Sequence, residues 1–465
     1  MQRGRKVSIP GFVALAIYII IGCILLIGFP NSSYTAAERT LYVYLLISYV
    51  IVVGLVVLAI AKHELYLFEP FSIISLLYIG IFIYRPIQDL FSHTVSYAGV
   101  SLVQSGPKAT AIFTVGFIAF YLGYYALKKE KEVSVEVREN DNPDSTGWLV
   151  IAWIVFYSFC IISSLSQGLS LRYLFSLGSQ GERVVNDSNT VLLFLSNFAT
   201  SLLVVWLMIM VRSRSVALKI VLSILTLVYL IMRNARWLVL IMGISPFVYY
   251  YAKRRKSPKF IWTALLGLLA LVVFAWMQMN RYNIATGHEL QWFSERGGLS
   301  LELLLSPFDS DFTTYTTFYG MVQNYPDTYP YMLGRTFIYV FILFVPRVLW
   351  AGKPDNPVRD MVEHSLGSLA RTNGRAVANI GEFYANFGIV GVILLMFLFG
   401  YITSKLKRMY EDPSENRLIM YSILYPLMFQ WVARGNFSGN FYYTLFAFVP
   451  LLIQSVVKNI TRRRA

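Results

Sequence analysis

Eight basic residues, Arg281, Arg296, Arg335, Arg347, Lys353, Arg359, Arg371 and Arg375, fall in one stretch between about residues 281 and 382. All but Lys353 are arginine. A guanidinium is planar and permanently charged, and its fork of donors matches two oxygens of a single carboxylate or phosphate, whereas an ammonium is a point charge. Three more arginines, Arg233, Arg236 and Arg434, stand at the ends of neighbouring apolar segments. Interfacial snorkelling, or pairing with Asp309, Asp311, Asp360, Glu363 and Glu382, accounts for any one of these side chains. The whole set gathered at one face points instead to a ligand carrying two or more negative charges. Preorganised cations of this kind neutralise charge that develops on a departing anion.

Proton transfer needs a partner for those cations. His364, in the run Arg359-Asp360-Met361-Val362-Glu363-His364, is a candidate general base near neutral pH, and His288 is a second histidine in the same stretch. Asp309-Ser310-Asp311 has the D-x-D spacing that some membrane enzymes use to hold a metal. With no histidine or further clustered acid beside it, either aspartate reads better as a base or an arginine partner, and no metal is expected. Glu382 opens an apolar run, where its charge suits a helix N-terminus. The chain has no P-loop, no G-x-G-x-x-G, no H-E-x-x-H and no heptad repeat, so no nucleotide-driven pump and no cofactor is expected. Cys23 and Cys160 both lie within apolar runs and read as small hydrophobes.

The elements that must position these groups are membrane helices. Of 465 residues, 56% are hydrophobic and 14% charged, against about 25% charged in soluble proteins. Apolar runs of about 20 residues recur along the chain, the length that a bilayer core of about 30 Å requires. The net charge of +15 would suggest nucleic acid in a soluble protein. Here it follows from the Lys/Arg-rich cytoplasmic loops of a polytopic protein, and no nucleic-acid partner is expected. Arg3, Arg5 and Lys6 precede an apolar run without a clear cleavage site, which reads as an uncleaved first helix that leaves the cytoplasm.

About twelve transmembrane helices follow, near 11–30, 40–61, 66–84, 109–127, 148–167, 191–211, 217–232, 237–252, 260–280, 383–404, 417–433 and 441–457, with both ends of the chain inside. The charged, aromatic-free stretch 128–147 is a cytoplasmic linker. The organisation is therefore 1–280 with helices one to nine, 281–382 as one long extracytoplasmic loop containing short helices, and 383–465 with helices ten to twelve. Outer segments then hold fourteen arginines and two lysines, Lys108 and Lys353, while inner segments mix the two more evenly. A structureless loop of that length is uncommon unless it is functional. It carries helical spacing at Leu299, Leu303 and Leu304 and at Met361, Val362 and Leu366. Its apolar piece 337–350, broken by Pro346, reads as re-entrant or interfacial. At such a boundary the natural polyanion is a lipid pyrophosphate leaving a sugar.

Two segments carry a resemblance. Pro346-Arg347-Val348-Leu349-Trp350-Ala351-Gly352-Lys353-Pro354, and Gly381-Glu382-Phe383-Tyr384-Ala385-Asn386-Phe387-Gly388-Ile389-Val390-Gly391-Val392, resemble the "PR-x-x-W-x-x-KP" and "E-x-Y-x-N-F-G-x-x-G" segments of Wzy-type bacterial oligosaccharide repeat-unit polymerases of O-antigen and capsule. Arg434-Gly435 and Arg233–Arg236 are placed as in that family. The resemblance implies an all-α polytopic fold, similar to the GT-C-like glycosyltransferases that use lipid-phosphate donors. It implies a site outside the bacterial cytoplasmic membrane, where a chain on undecaprenyl pyrophosphate is transferred to the terminal hydroxyl of a new lipid-linked repeat unit. Its partners would be those glycans, membrane lipids, a flippase and a chain-length regulator.

On that reading Arg281, Arg347, Arg371, Arg375 and Arg434 bind the pyrophosphates with help from Lys353, and Arg233, Arg236 and Arg359 belong to the same cationic surface. His364, Asp309 or Asp311 takes the proton, and the 337–350 piece seats the lipid. An O-antigen ligase shares the outer arginines. A twelve-helix transporter or flippase would show internal repeats and midplane charges, and neither is evident here.

Overall fold

The computed structural model describes residues 18–25, 28, 34–63, 67–125, 146–166, 195–233, 235–254, 260–280, 283, 289–296, 298–345, 349–367, 375–411 and 414–464. About 82% is helical. The only strands among the described residues are Ser96–Tyr97 (β1) and Val100–Ser101 (β2), an antiparallel pair two residues long. Four helices are long and apolar enough to cross a bilayer. They are Ala36–His63 (α1), the continuous stretch Pro70–Ile79 (α2), Gly80–Tyr84 (a π turn) and Arg85–Phe91 (α3), then Thr146–Ser166 (α5) and Asn379–Glu411 (α14). Between them lie Leu102–Tyr125 (α4), Phe198–Arg212 (α6), Val216–Met232 (α7), Arg236–Arg254 (α8) and Phe260–Met279 (α9). Glu415–Ala433 (α15) and Phe437–Arg464 (α16) complete the set. The chain is an all-α membrane protein.

Two packing regions make up the interior. One gathers side chains of α1 to α4 with α14, and the other those of α5 to α9 with α15. Helix α15 joins them. Its middle, Leu418 to Leu427, packs in the second region, its end (Met428, Val432, Ala433) in the first, and Trp431 touches both. A helix apolar on every side belongs in the centre of a bundle, and its C-terminal end is therefore held from all directions. Helices α4 and α14 approach closely through small residues. A Cβ on Gly123 would lie 2.0 Å from the Phe397 carbonyl oxygen, and one on Gly400 2.2 Å from that of Phe120. Glycine there lets backbones touch where a membrane interior supplies no hydrophobic drive between helices.

The segment between α9 and α14 is built, not loose. Its described residues include a 3-10 turn, Phe293–Arg296, and four helices: Leu301–Phe312 (α10), Thr314–Asn324 (α11), Arg335–Leu343 (α12) and Pro357–Leu366 (α13). Two of these starts, those of α10 and α13, have a side-chain cap. The Ser300 hydroxyl accepts from the Leu303 N–H at 3.1 Å. The Asn356 side chain accepts from Val358, with Pro357 in the first turn. Helix α11 is no surface element, since Tyr315, Phe318, Tyr319 and Met321 are buried in the first packing region. The Tyr319 hydroxyl bonds Thr110, and Tyr315 donates to Asp89. Helix α12 has nine residues, about 13 Å of rise, which is less than half a bilayer core. Ile338, Phe341 and Phe344 point outward from it.

Several boundaries differ from the hydropathy reading: α14 and α16 run on to Glu411 and Arg464, past the ends expected near 404 and 457, and α6 starts at Phe198, not near 191. The helix expected to stop near residue 84 runs on to Phe91, because Arg85 pairs with Asp89 one turn on, at 3.1 Å, and the chain accommodates a π turn before it. The helix expected from about 109 begins at Leu102, immediately after the hairpin.

Candidate functional site

The ends of α8, α10 and α15 meet at one pocket. Arg236 opens α8. Arg434 follows α15 and closes it, its N–H donating to the Gln430 carbonyl at 3.1 Å. Asp311 lies in the last turn of α10, and its neighbour Phe312 seats its ring on Gly80 at the π turn, where a Cβ would come within 2.8 Å. Arg434 Nη2 donates to Asp311 Oδ1 at 2.8 Å, and Arg236 Nη2 stands 3.6 Å from the same oxygen. Arg236 also donates to Gln278 Oε1 at 2.5 Å. Trp237, Leu240, Phe274 and Phe429 line the rest of the pocket, with Gln430. Half the wall is therefore cationic and polar and half is apolar, the lining an amphiphile needs.

The turn bearing Arg434 is fixed from behind. Gly435 has φ +39, and a Cβ there would lie 2.2 Å from the Val377 carbonyl oxygen, so only glycine fits. Two residues on, the Phe437 N–H donates to both Glu382 carboxylate oxygens at 3.0 and 3.3 Å. Glu382 is buried. The expectation that it serves the N-terminus of its own helix is met on a different helix, for it caps α16. Asn386 splices a further piece in. Its amide donates to Thr336 at 2.9 Å and to the Glu382 carbonyl at 2.7 Å, and its carbonyl oxygen accepts from the Gly334 N–H at 2.9 Å.

Helix α14 is broken directly after Asn386, at Phe387 (φ −140, ψ 15) and Gly388 (φ 63, ψ −151). The freed carbonyls of Ala385 and Asn386 accept from the N–H groups of Met332 and Leu333. Irregular backbone inside a membrane helix is tolerable when another segment satisfies it in this way. Residues 382–388 thus tie together α12, α14 and the Arg434 turn.

The other sequence candidates are dispersed. Lys353 is 5% exposed, and its ammonium donates to the carbonyls of Leu343 and Val345 at 2.8 and 2.9 Å, closing α12. Arg233 donates to the Ser196 carbonyl at 2.7 Å and the Tyr229 hydroxyl at 3.1 Å, which ties α7 to the start of α6. Arg375 stacks on Tyr97 of β1, 4.8 Å from its ring centre, and bonds its hydroxyl. Arg359 is exposed on α13.

His364 lies where α13 meets the C-terminal end of α11. Its Nδ1 bonds the Tyr325 hydroxyl at 2.6 Å, and the Asn324 amide donates to its carbonyl at 2.7 Å. Asp311 precedes the other end of α11, so 11 residues of helix, about 16 Å, separate the histidine from the arginine pocket. Burial holds the imidazole below its ordinary pKa against the opposite pull of Asp360 and Glu363.

Arg281, Arg347 and Arg371 lie outside the described residues, as does His288, and so does the side chain of Asp309. Sequence reasoning missed the pocket's other walls, Trp237, Leu240, Phe274, Phe429 and Gln430. Each sits in an apolar run whose outward and inward faces look alike in sequence.

The described residues thus form an all-α polytopic membrane protein in which two guanidinium groups and a carboxylate converge on an amphiphilic pocket. The chain belongs to the O-antigen polysaccharide polymerase Wzy family, whose model matches residues 12–464, nearly the whole chain. That family polymerises O-antigen repeat units. Neither the curated proteins nor the solved structures yield a match to the chain.

Proposed function

We propose that this chain joins undecaprenyl-pyrophosphate-linked oligosaccharide repeat units at the outer face of a bacterial cytoplasmic membrane, crossing the bilayer about twelve times in a GT-C-like arrangement. The observation that carries the reading is the convergence of Arg236 and Arg434, from two helix ends far apart in sequence, on the single carboxylate of Asp311 in a half-apolar pocket. A terminal hydroxyl of the acceptor glycan attacks the anomeric carbon of the donor chain. The carbon–oxygen bond to pyrophosphate breaks, and the leaving group departs with the electron pair into the fork of Arg434 and Arg236.

Asp311, between Arg434 and Arg236, occupies the place that a phosphate oxygen would take. Pyrophosphate displaces it, and the released carboxylate takes the hydroxyl proton. Arg281, Arg347, Arg371, Arg375 and Arg359 would serve the pyrophosphate of the second lipid-linked substrate. The outward apolar face of α12 seats the lipid chain. Lys353 and Arg233 shape the site through the helix ends they close. His364 and Asp309 remain proton acceptors only for a substrate that reaches them.

Arg434→Ala and Arg434→Lys, expressed in a strain lacking the gene, test the proposal. Surface polymer should disappear in the first and shorten in the second, with single lipid-linked repeat units accumulating. Full-length polymer from both variants refutes the arginine assignment. Accumulation of long lipid-linked polymer would make the enzyme a ligase.

A further inference from the structure

A second polar concentration lies at the far end of α11, and the reaction just described does not use it. The Tyr329 ring lies flat on His364, with ring centres 3.8 Å apart and planes 8° from parallel. Tyr325 holds the other side of the imidazole through Nδ1, and Tyr331 stacks over Tyr325 at 6.4 Å. Arg335 and Asp360 pair at 2.9 Å, with the arginine side chain 52% exposed, and both act electrostatically on the His364 ring. Tyr329, Tyr331 and His364 all keep part of their surface open. The connecting run Tyr325-Pro326-Asp327-Thr328-Tyr329-Pro330-Tyr331 contains two prolines, which restrict its backbone and lower the entropy lost when a ligand is gripped.

This constellation has the chemistry of a sugar site and not of a phosphate site. A pyranose presents an apolar C–H face, which a flat ring covers, and a rim of hydroxyls, which pair with planar side chains that donate and accept in twos. A pyrophosphate would instead meet the carboxylates of Asp360 and Glu363. The placement agrees. Bond formation occurs at the arginine pocket, so the oligosaccharide attached to the reacting end must run away from it, and the platform stands about 16 Å off along α11.

Resting on the polymerase reading, we infer that Tyr329, His364 and the Arg335–Asp360 pair, with buried Tyr325 fixing the imidazole from behind, form a carbohydrate subsite that grips the repeat unit several sugars away from the reacting end and so sets which oligosaccharide is polymerised.

Two probes separate this inference from the reading beneath it. One is the oligosaccharide released by mild acid from the cell's own lipid-linked repeat unit, and the other is inorganic pyrophosphate. Each is titrated into the full-length protein in nanodiscs by calorimetry. The oligosaccharide should bind the wild type, bind Tyr329→Phe equally well, and bind Tyr329→Ala and Tyr329→Leu about tenfold more weakly. Pyrophosphate should bind all four alike. Oligosaccharide affinity unchanged in Tyr329→Ala or Tyr329→Leu, or lost as fully in Tyr329→Phe, overturns the subsite. Pyrophosphate binding that is absent, or indifferent to Arg434→Ala, overturns the polymerase site instead, whatever the sugar does.

Discussion

If Asp311 holds the place of a phosphate oxygen, removing its charge should tighten anion binding while slowing catalysis. The perturbation is Asp311→Asn, which preserves shape and leaves an oxygen for Arg434 to donate to. In the wild type the pair is 2.8 Å long, with side-chain exposures of 32% for Arg434 and 14% for Asp311. A charge-assisted hydrogen bond contributes about 1.5–3 kcal/mol when well shielded, and partial exposure of the arginine brings this toward about 1 kcal/mol. Pyrophosphate entering the wild-type site must first break that bond. The variant spares about 1 kcal/mol, a tightening of about fivefold.

Calorimetric titration of pyrophosphate at low ionic strength into protein in nanodiscs reads the affinity, and polymer yield in cells reads the reaction. Tighter binding together with loss of polymer is the expected pair. Weaker binding would mean that Asp311 only orients the arginines, and the displacement step would be wrong. Tighter binding with full polymer yield would remove Asp311 as proton acceptor.

Three further outcomes follow from the geometry. Gly435→Ala forces a side chain into a backbone at φ +39 and should destabilise the fold by at least about 2 kcal/mol, read as a lower melting temperature in detergent; a variant that melts like the wild type contradicts the packing of that turn on Val377. Lys353→Met removes two hydrogen bonds to the end of α12 and should cost about 2 kcal/mol of stability yet leave pyrophosphate affinity within about twofold, whereas a larger loss of affinity would make the lysine a ligand contact. The imidazole of His364 is held below its ordinary value by burial, so the folded state favours the neutral ring; its contribution to stability is complete above the unfolded value of about 6.5 and is lost as pH falls through the depressed folded value. His364→Asn should therefore flatten the melting-temperature profile on the acid side, and an identical slope in both proteins would refute the assignment.

Much of this molecule is legible without coordinates. Apolar runs of bilayer length announce a polytopic helical protein, because a chain in lipid must satisfy its backbone within each segment. The preference for arginine over lysine around residues 281–375 suggests an anionic ligand from sequence alone, because only the guanidinium offers a rigid fork. Asp311 as an arginine partner and Glu382 as a helix cap were within reach of the same reasoning.

Which arginine meets which carboxylate was not legible. Arg236, Asp311 and Arg434 are separated by tens of residues, and a helix reveals its buried face in sequence only when the opposite face is polar. In α15 both faces are apolar, so nothing local marks the end that carries Arg434 as the wall of a pocket. Lys353 and His364 look like chemistry in a linear reading. Folding commits the first to the carbonyls that end α12, and sets the second beyond the length of α11 from the pocket. Residue type supplied the candidate groups, and the crossing of the helices alone settled which of them stand close together.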